Sequence, residues 1–228
     1  SGGSIDFRPI AGGAPGIITS DSFNRPDSDI LGTLDNALGG AGTWTWTEIT
    51  GDVDIVLNQA KNGGAFFSVA KVTEAVGTND LKITCDYIFQ GLNNKDSGPM
   101  SRITDANNLN YYVLFEASLN NLRYYKRVAG ANTLLYQASK TVKANVTLAL
   151  QNQGNNWTLF YAGAQEATGT DTANPSGQPG IGFGFFGASG ILDNFILEDL
   201  APPPAGQPYA KRGSQVPGFV SGERPNIM

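Results

Sequence analysis

Carboxylates are the groups whose spacing could do chemistry in this chain, and the first of them lie in the string DSFNRPDSD. It contains Asp21, Asp27 and Asp29, and carboxylate oxygens are the ligands that Ca²⁺ prefers. A calcium loop also needs a glycine at its sharp turn, whereas this string contains Phe23 and no glycine. We therefore expect no metal site, keep the three aspartates as weak candidates, and interpret the string as the start of a strand followed by a proline turn.

A second pair of carboxylates, Asp52 and Asp54, is spaced as a glycosidase pair could be. Residues two apart on a strand share a face at a separation of about 7 Å. Retaining glycosidases use two carboxyl groups about 5 Å apart, and inverting enzymes place them farther apart. The spacing alone excludes neither mechanism. A solvated strand edge beside Gly51 explains the same pattern, so we expect no catalytic residue.

Histidine is absent from the 228 residues, and Cys85 is the one cysteine. Without histidine, Ser-His-Asp and Cys-His catalysis and histidine-ligated metals are excluded. A single cysteine excludes an internal disulfide and a multi-cysteine zinc site. We expect no cofactor and an inert, buried Cys85. The net charge of −5 disfavours nucleic acid as a partner, and the lack of a long apolar run leads us to expect no membrane partner.

Both ends of the sequence differ in composition from its middle. Residues 1–20 mix Gly and Pro with scattered apolar residues, and residues 201–228 are also rich in Pro and Gly, which disfavours an independent fold. The C-terminal segment has three basic residues and one acidic residue, a net charge of +2, so with a total of −5 the rest of the chain carries −7. We predict two extended arms around a body at residues 21–200, and we assign anchoring in an assembly to Tyr209, Lys211, Arg212, Phe219 and Arg224.

The middle of the chain alternates apolar and polar residues with the two-residue period of β-strands. In residues 42–50 (GTWTWTEIT), Trp44, Trp46 and Glu48 share one face, and residues 81–89 (LKITCDYIF) place five apolar side chains on one face. We find no ten-residue segment with a helical apolar period. The pattern predicts an all-β protein, an antiparallel jelly-roll sandwich of two curved sheets with extended N- and C-terminal arms.

Three groups of residues set the order of landmarks along the chain. They are Asp21, Phe23 and Arg25 followed by Leu31 and Gly32; the block Ser97, Gly98, Arg102, Thr104, Asp105, Asn110, Tyr112 and Leu114; and the closing string LDNFILEDL. This order resembles the concanavalin A-like lectin/glucanase superfamily, a jelly-roll group that includes laminin-G-like modules. The resemblance implies that the first and last strands pair, with Phe23 and Phe195 turned inward. Glucanases of this superfamily carry a Glu-x-Asp-x-x-Glu string, which this sequence lacks.

Exposed aromatic side chains are further candidates for a binding site, because the apolar face of a sugar ring stacks on Trp or Tyr. Tyr111 is adjacent to Tyr112, and Tyr124 to Tyr125. On a strand, one member of each pair points away from the core. We therefore keep Tyr111, Tyr124 and Tyr125 as candidates for contact with a glycan or a protein partner, and we expect the two tryptophans of residues 42–50 in the core.

Three functions from different classes remain. The one we favour is a non-enzymatic structural protein, a capsid decoration or appendage protein on a bacteriophage virion surface, because modules with the Asp-x-Phe-x-Arg start resemble ones found there. Residues 1–20 and 201–228 would then bind other virion or assembly proteins, and the chain would be oligomeric or part of a larger assembly. The alternative is a carbohydrate-binding lectin module that adheres to surface glycans, on a virion or a bacterial cell surface. A glycoside hydrolase is the last of the three.

Overall fold

The computed structural model describes residues 16–37, 44–63, 67–74, 76, 79–89, 95–116, 121–141, 144–184 and 188–200. The predicted C-terminal arm lies outside the described residues, as do residues 1–15. Strand β1 covers Gly16–Asp21 and pairs with the last strand of the body. The N-terminal boundary predicted at residue 21 is therefore too late, because residues 16–20 belong to the sandwich.

The described residues form seventeen strands and no helix. In chain order they are β1 (Gly16–Asp21), β2 (Asn36–Ala37), β3 (Trp46–Thr50), β4 (Val53–Ile55), β5 (Ala60–Asn62), β6 (Ser68–Val72), β7 (Leu81–Ile88), β8 (Lys95–Asp105), β9 (Asn108–Glu116), β10 (Asn121–Val128), β11 (Ala131–Ser139), β12 (Val146–Gln153), β13 (Asn156–Tyr161), β14 (Ala164–Thr170), β15 (Gln178–Phe183), β16 (Ala188–Ser189) and β17 (Ile191–Asp199). None of the described segments is a helix able to cross a membrane.

The strands form two sheets packed face to face. One sheet has nine described strands. Seven follow the order β14-β13-β12-β7-β17-β1-β2, and in addition β5 pairs with β17, and β4 pairs with β5. The other has eight, in the order β11-β10-β9-β8-β15-β6-β3, with β16 beside β8. The described pairings are antiparallel apart from the short contact between β16 and β8. The predicted all-β antiparallel jelly-roll sandwich is thus confirmed.

The core between the sheets follows from the alternation that the sequence shows. Along β7, Leu81, Ile83, Cys85 and Tyr87 are buried, and the residues between them are only half-buried. The four buried side chains join one apolar cluster with residues of the facing sheet. Burial raises the pKa of the Cys85 thiol well above its usual range, so this cysteine is the inert core residue that the sequence predicts.

The eight-stranded sheet carries apolar side chains on its outer face as well. They form a second cluster, distinct from the core between the sheets, made of Val69, Met100, Ile103, Leu109, Tyr111, Val113 and Tyr125. This explains why β8 and β9 lack the clean alternation of a sheet with one solvated face. Burial on both faces gives long runs of buried residues in these strands.

The first and last strands of the body close the nine-stranded sheet. β1 pairs with β17, and Asp21 lies opposite Phe195. Phe23 and Phe195 are both fully buried, and the Trp46 ring of the facing sheet lies 6.1 Å from Phe23 and 4.8 Å from Phe195, measured between ring centroids. The inward orientation implied by the resemblance is confirmed for both phenylalanines.

Asp21 holds this corner together and explains the acidic string at the start of the body. Its Oδ1 accepts hydrogen bonds from the Phe23 backbone N–H at 2.8 Å and from Arg25 Nη1 at 2.7 Å. Its Oδ2 accepts from Arg25 Nη2 at 2.8 Å and from Trp46 Nε1 at 2.7 Å. Because Asp21 is on β1 and Trp46 is on β3, one buried carboxylate joins the two sheets.

Removing the Asp21 carboxylate should destabilise the fold strongly. Asp21→Ala leaves the Arg25 charge and the Trp46 N–H without their buried acceptor, and breaking a buried ion pair in this way costs about 3–5 kcal/mol. The measurement is the free energy of unfolding in urea. Asp29→Ala, an exposed neighbour, is the control and should change stability by less than about 0.5 kcal/mol. Equal effects of the two substitutions would contradict this role for Asp21.

Candidate functional site

A polar hollow of about 330 Å³ lies on the outer face of the nine-stranded sheet. We call it the Asp86 hollow. Its polar lining consists of Gln59, Asp86, Asn145, Thr147, Asp193 and Asn194. These groups combine carboxylate and amide oxygens, which accept hydrogen bonds, with amide and hydroxyl groups, which donate them.

Three neighbouring strands bring the central residues of the hollow together. Alternation along β7 turns Cys85 and Tyr87 inward, so Asp86 faces outward. In the sheet register, Asp86 pairs with Thr147 on β12 and with Asp193 on β17. Residues paired in this way share a face of the sheet. The strand order therefore places the three side chains in a row.

A bulge adds Asn194 to this row. The pairing of β17 with β7 shifts register between Asp193 and Ile196, and Asn194 has a positive φ of 49°. Asparagine tolerates this left-handed conformation better than most residues do. The bulge lets the Asn194 side chain reach Asp86 across the strands, as bulges beside functional sites often re-aim a side chain.

Hydrogen bonds fix the Asp86 carboxylate in the hollow. Thr147 Oγ1 donates to Asp86 Oδ1 at 2.6 Å, and Asn194 Nδ2 donates to Asp86 Oδ2 at 2.9 Å. The Asn194 backbone N–H donates to Asp193 Oδ1 at 2.8 Å. Each carboxylate oxygen has two lone pairs, so both oxygens of Asp86 retain the capacity to accept another hydrogen bond. The carboxylate is thus preorganised for a ligand that donates hydrogen bonds.

The second carboxylate of the hollow is electrostatically strained. Burial raises the pKa of Asp193 above its ordinary value of 3.8, the Asn194 backbone N–H opposes this rise, and the negative charge of Asp86 adds to it. Two carboxylates side by side on one face of the sheet repel anionic ligands. The hollow therefore suits a ligand without negative charge.

Asp52 and Asp54, the candidate glycosidase pair, are half-buried beside Gly63. Burial raises the pKa of Asp54, and the negative charge of Asp52 raises it further. Gly63 also covers them, because a Cβ at this residue would lie 2.5 Å from Asp52 Oδ2 and 2.6 Å from Asp54 Oδ2.

The expectation of an exposed tyrosine platform is wrong. Tyr124 packs in the core between the sheets, 5.0 Å from the Trp157 ring centroid. Tyr111 and Tyr125 do point away from that core, but they stack on each other at 5.0 Å within the second apolar cluster. Their exposed fractions are 0% for Tyr111 and Tyr124 and 8% for Tyr125. Alternation correctly predicted that one tyrosine of each pair points away from the core, but the candidate Tyr124 is not that one. The second cluster removes Tyr111 and Tyr125 from the surface.

The three weak metal candidates do not converge. Asp21 is occupied by Arg25 and Trp46, as described above, whereas Asp27 Oδ1 accepts a hydrogen bond from the Leu57 backbone N–H at 2.8 Å. Asp29 is exposed. Within the described ranges no three acidic or cysteine side chains are grouped so that they could hold a metal ion.

The predicted anchoring residues are a different case. Tyr209, Lys211, Arg212, Phe219 and Arg224 all lie outside the described residues. Their role in an assembly stays a prediction from the sequence.

Searches with protein-family models and against curated proteins find no match to this sequence. Solved structures do share its fold. A carbohydrate-binding module, CBM66 from Bacillus subtilis, is 16% identical with a TM-score of 0.57, and the match covers 68% of this chain and 95% of that one. The exoplasmic/lumenal domain of VIP36, in a form with bound Ca²⁺ and Man3GlcNAc, is 10% identical with a TM-score of 0.51, covering 71% and 89%.

A third similar structure comes from a bacteriophage. It is the CBM2 module of the evolved Dit protein of Lactobacillus casei BL23 phage J-1, 11% identical with a TM-score of 0.50, covering 81% of this chain and 96% of that one. At these identities the three likenesses establish the fold. The chain is a jelly-roll sandwich of the kind found in carbohydrate-binding modules and lectin-like domains.

Sequence reasoning missed the Asp86 hollow, although part of its signal was present. The alternation of residues 81–89 already places Asp86 opposite the apolar face. What the sequence did not reveal is that β12 and β17 flank β7, since both strands come from more than fifty residues further along the chain. The partners Thr147 and Asn194 follow only from that strand order.

The strain on Asp193 predicts an unusual pH dependence of stability. A carboxyl whose folded pKa is raised costs stability in its charged form; this cost is absent below the ordinary pKa of 3.8 and complete above the raised folded pKa. Asp193→Asn keeps the acceptor for the Asn194 backbone N–H and removes the charge. We expect the variant to be more stable than the wild type at pH 7, with the difference shrinking toward pH 3, as measured by urea unfolding. A difference that grows toward acidic pH would contradict the strain.

Proposed function

We propose that this protein is a carbohydrate-binding module that binds an uncharged saccharide in the Asp86 hollow without cleaving it. The observation that carries the proposal is the Asp86 carboxylate, which Thr147 and Asn194 hold at 2.6 and 2.9 Å within a polar hollow on a rigid sheet. Vicinal sugar hydroxyls donate hydrogen bonds to such a carboxylate, and hydrogen bonds to charged groups are the stronger ones.

The chemistry and size of the hollow agree with this class of ligand. Asp86 and Asp193 accept hydrogen bonds from hydroxyls, and the Gln59 and Asn145 side chains carry amide groups that also donate them. The volume of about 330 Å³ is at the lower end of the range of ligand pockets. This size favours a single sugar unit, with the rest of the glycan extending over the open sheet face.

The arrangement of the carboxylates around the hollow supports binding without cleavage. The Asp86 carboxylate accepts hydrogen bonds from Thr147 and Asn194. Hydrolysis needs a second carboxyl group on the other side of the glycosidic bond, one that delivers a proton. Asp193 is in register with Asp86 on the same face and not across a cleft from it. Asp52 and Asp54 lie beside Gly63 and do not line the hollow. These arrangements support binding rather than catalysis.

Substitution of Asp86 should weaken glycan binding. A glycan array with the wild-type chain selects the saccharide, and calorimetric titration then gives its Kd. Asp86→Ala removes hydrogen bonds to a charged group, which are worth about 1.5–3 kcal/mol, so Kd should rise at least about tenfold. Incubation of the same saccharide with wild-type protein should release no reducing ends.

Thr84→Ala is the matched control. Thr84 is on the same strand and the same face as Asp86, but it does not line the hollow, so its removal should leave Kd unchanged. Equal loss of binding in both variants would place the sugar elsewhere on the sheet. Binding of no uncharged glycan on the array, or release of reducing ends, would contradict the proposed function itself.

A virion surface is the second candidate setting for this module. The fold likeness to the phage J-1 Dit module, with its TM-score of 0.50, favours it, and the Gly/Pro-rich residues 1–15 and 201–228 suit attachment to a larger particle. In this setting the glycan would be a receptor on a cell surface and the terminal segments would bind other virion proteins.

Particle composition tests the virion setting. Peptides of this chain should appear by mass spectrometry in density-purified particles released by cells that encode it. Deletion of residues 201–228 should remove the chain from the particles while glycan binding by the purified body persists. Retention of the shortened chain in the particles would contradict anchoring through this segment.

A further inference from the structure

A second surface of the sandwich has the properties of a docking site for a basic, apolar segment. Among the described residues, the two most exposed large apolar side chains are Leu57, at 78%, and Ile30, at 63%. They flank the antiparallel bridge in which Ser28 and Ile55 exchange backbone hydrogen bonds: Ile30 lies two residues beyond Ser28, and Leu57, whose N–H donates to Asp27, lies two residues beyond Ile55. Two large apolar side chains this exposed on either side of one bridge are unusual on an isolated protein surface.

The turn that presents Leu57 is conformationally unfavourable. Val56 and Gln59 exchange backbone hydrogen bonds at 2.9 and 3.2 Å, and the two residues between them, Leu57 and Asn58, have φ values of +54° and +62°. Two-residue hairpin turns with both φ values positive prefer Asn-Gly. A leucine at the first position is strained and exposes its side chain, which local stability does not explain.

A shallow apolar hollow adjoins Ile30. It has a volume of about 450 Å³ and is lined by residues 30–33 together with Thr45, Trp46 and Glu48. Trp46 in this lining is buried, and Glu48 is half-buried. The hollow therefore offers space for a side chain that combines an apolar body with a positive end.

Five acidic residues lie near this surface: Asp27 beside Leu57, Glu48 in the lining of the hollow, and Asp29, Asp52 and Asp54, whose charges act on one another and on Glu48. With Ile30 and Leu57 they form what we call the acidic corner. Burial raises the pKa of Glu48, and the charges of Asp52 and Asp54 contribute to that rise. Lys61 lies opposite Asp54 in the sheet register and lowers the pKa of Asp54 against these effects. One lysine does not balance five carboxyl groups, so the corner attracts cations.

We propose that the acidic corner binds residues 209–212 (YAKR) of the chain's own C-terminal segment. This segment lies outside the described residues, and its sequence supplies the complementary chemistry: an aromatic ring at Tyr209 next to the positive charges of Lys211 and Arg212. Residues 201–228 carry a net charge of +2, from three basic residues and one acidic residue. Tyr209 would pack against Ile30 and Leu57 while the two cations face the carboxylates.

The chain is long enough to make this contact within one molecule. β17 ends at Asp199, opposite Gly16. β1 is about 17 Å long at the rise of a strand, and the corner lies beyond its other end. Lys211 follows Leu200 by eleven residues, which span up to about 36 Å when extended. Tethering gives the segment a high effective concentration at its own corner, so its own chain outcompetes a second copy.

Paramagnetic broadening in the full-length chain tests the contact. Gly213→Cys introduces an accessible thiol for a nitroxide label, while Cys85 is buried and unreactive. We expect the amide signals of Asp29, Ile30 and Leu57 to broaden and that of Thr84, which lies on β7 outside the corner, to remain sharp. At 1 M salt, where charges are screened beyond about 3 Å, the broadening should be lost.

Charge and apolar variants separate this docking from chance proximity. Lys211→Glu combined with Arg212→Glu should abolish the broadening at the corner, whereas Gln207→Glu combined with Gln215→Glu, which adds charge but keeps both cations, should preserve it. Leu57→Gly removes the apolar contact and relieves the positive φ, so it should weaken the broadening without destabilising the fold.

Two outcomes would overturn the proposal. One is broadening that is absent from the corner or equal at the corner and at Thr84. The other concerns a mixture of two samples, spin-labelled chain without ¹⁵N and ¹⁵N-labelled chain without the nitroxide. If the ¹⁵N signals of the corner broaden there as strongly as within one chain, the contact is made by a second copy. Neither outcome bears on glycan binding, which Asp86→Ala tests separately.

Discussion

One buried carboxylate determines how the two sheets of this protein meet. Asp21 accepts four hydrogen bonds, from the Phe23 N–H, from two nitrogens of Arg25 and from Trp46 Nε1. A buried charge is tolerated only when it is paired and fully hydrogen-bonded. To meet that requirement, β1 must lie beside β3 of the other sheet, and Trp46 must pack between Phe23 and Phe195. Arg25 Nη2 also donates to the Leu31 carbonyl at 2.6 Å, which fixes the loop that leads to Ile30 and the acidic corner.

The nine-stranded sheet that starts from this corner supports the Asp86 hollow. Its central strands are antiparallel and packed on a continuous apolar core, so the outward side chains of β7, β12 and β17 stand at fixed separations. Asp86 and Thr147 gain their geometry from the ladder itself, and one bulge supplies Asn194. A site on strands is held more rigidly than a site on loops. The unfavourable proximity of Asp86 and Asp193 is the part of this arrangement that lowers stability.

Sequence reasoning could predict the strands and the fold because both depend on local alternation and on apolar pattern. It also placed Phe23 and Phe195 in the core correctly. It failed where two distant elements decide the outcome. One tyrosine of each adjacent pair faces away from the main core, as predicted, but these two, Tyr111 and Tyr125, are buried in a second apolar cluster. The charged string around Asp21 was interpreted as the start of a strand followed by a turn, with weak metal candidates, whereas β1 ends at Asp21. Only the position of Trp46 on the facing sheet shows why Asp21 is there. The hollow depends on strand order, which alternation does not encode.

The central claim is that the Asp86 hollow is the place where this sandwich meets its ligand. The most direct measurement is a map of backbone amide shifts while the selected saccharide is titrated into ¹⁵N-labelled protein. The account predicts the largest shifts at Asp86, Thr147 and Asn194, with the outer face of the eight-stranded sheet unaffected. Shifts concentrated at Asp52 and Asp54, together with loss of the intact saccharide during the titration, would contradict it and point to a hydrolase.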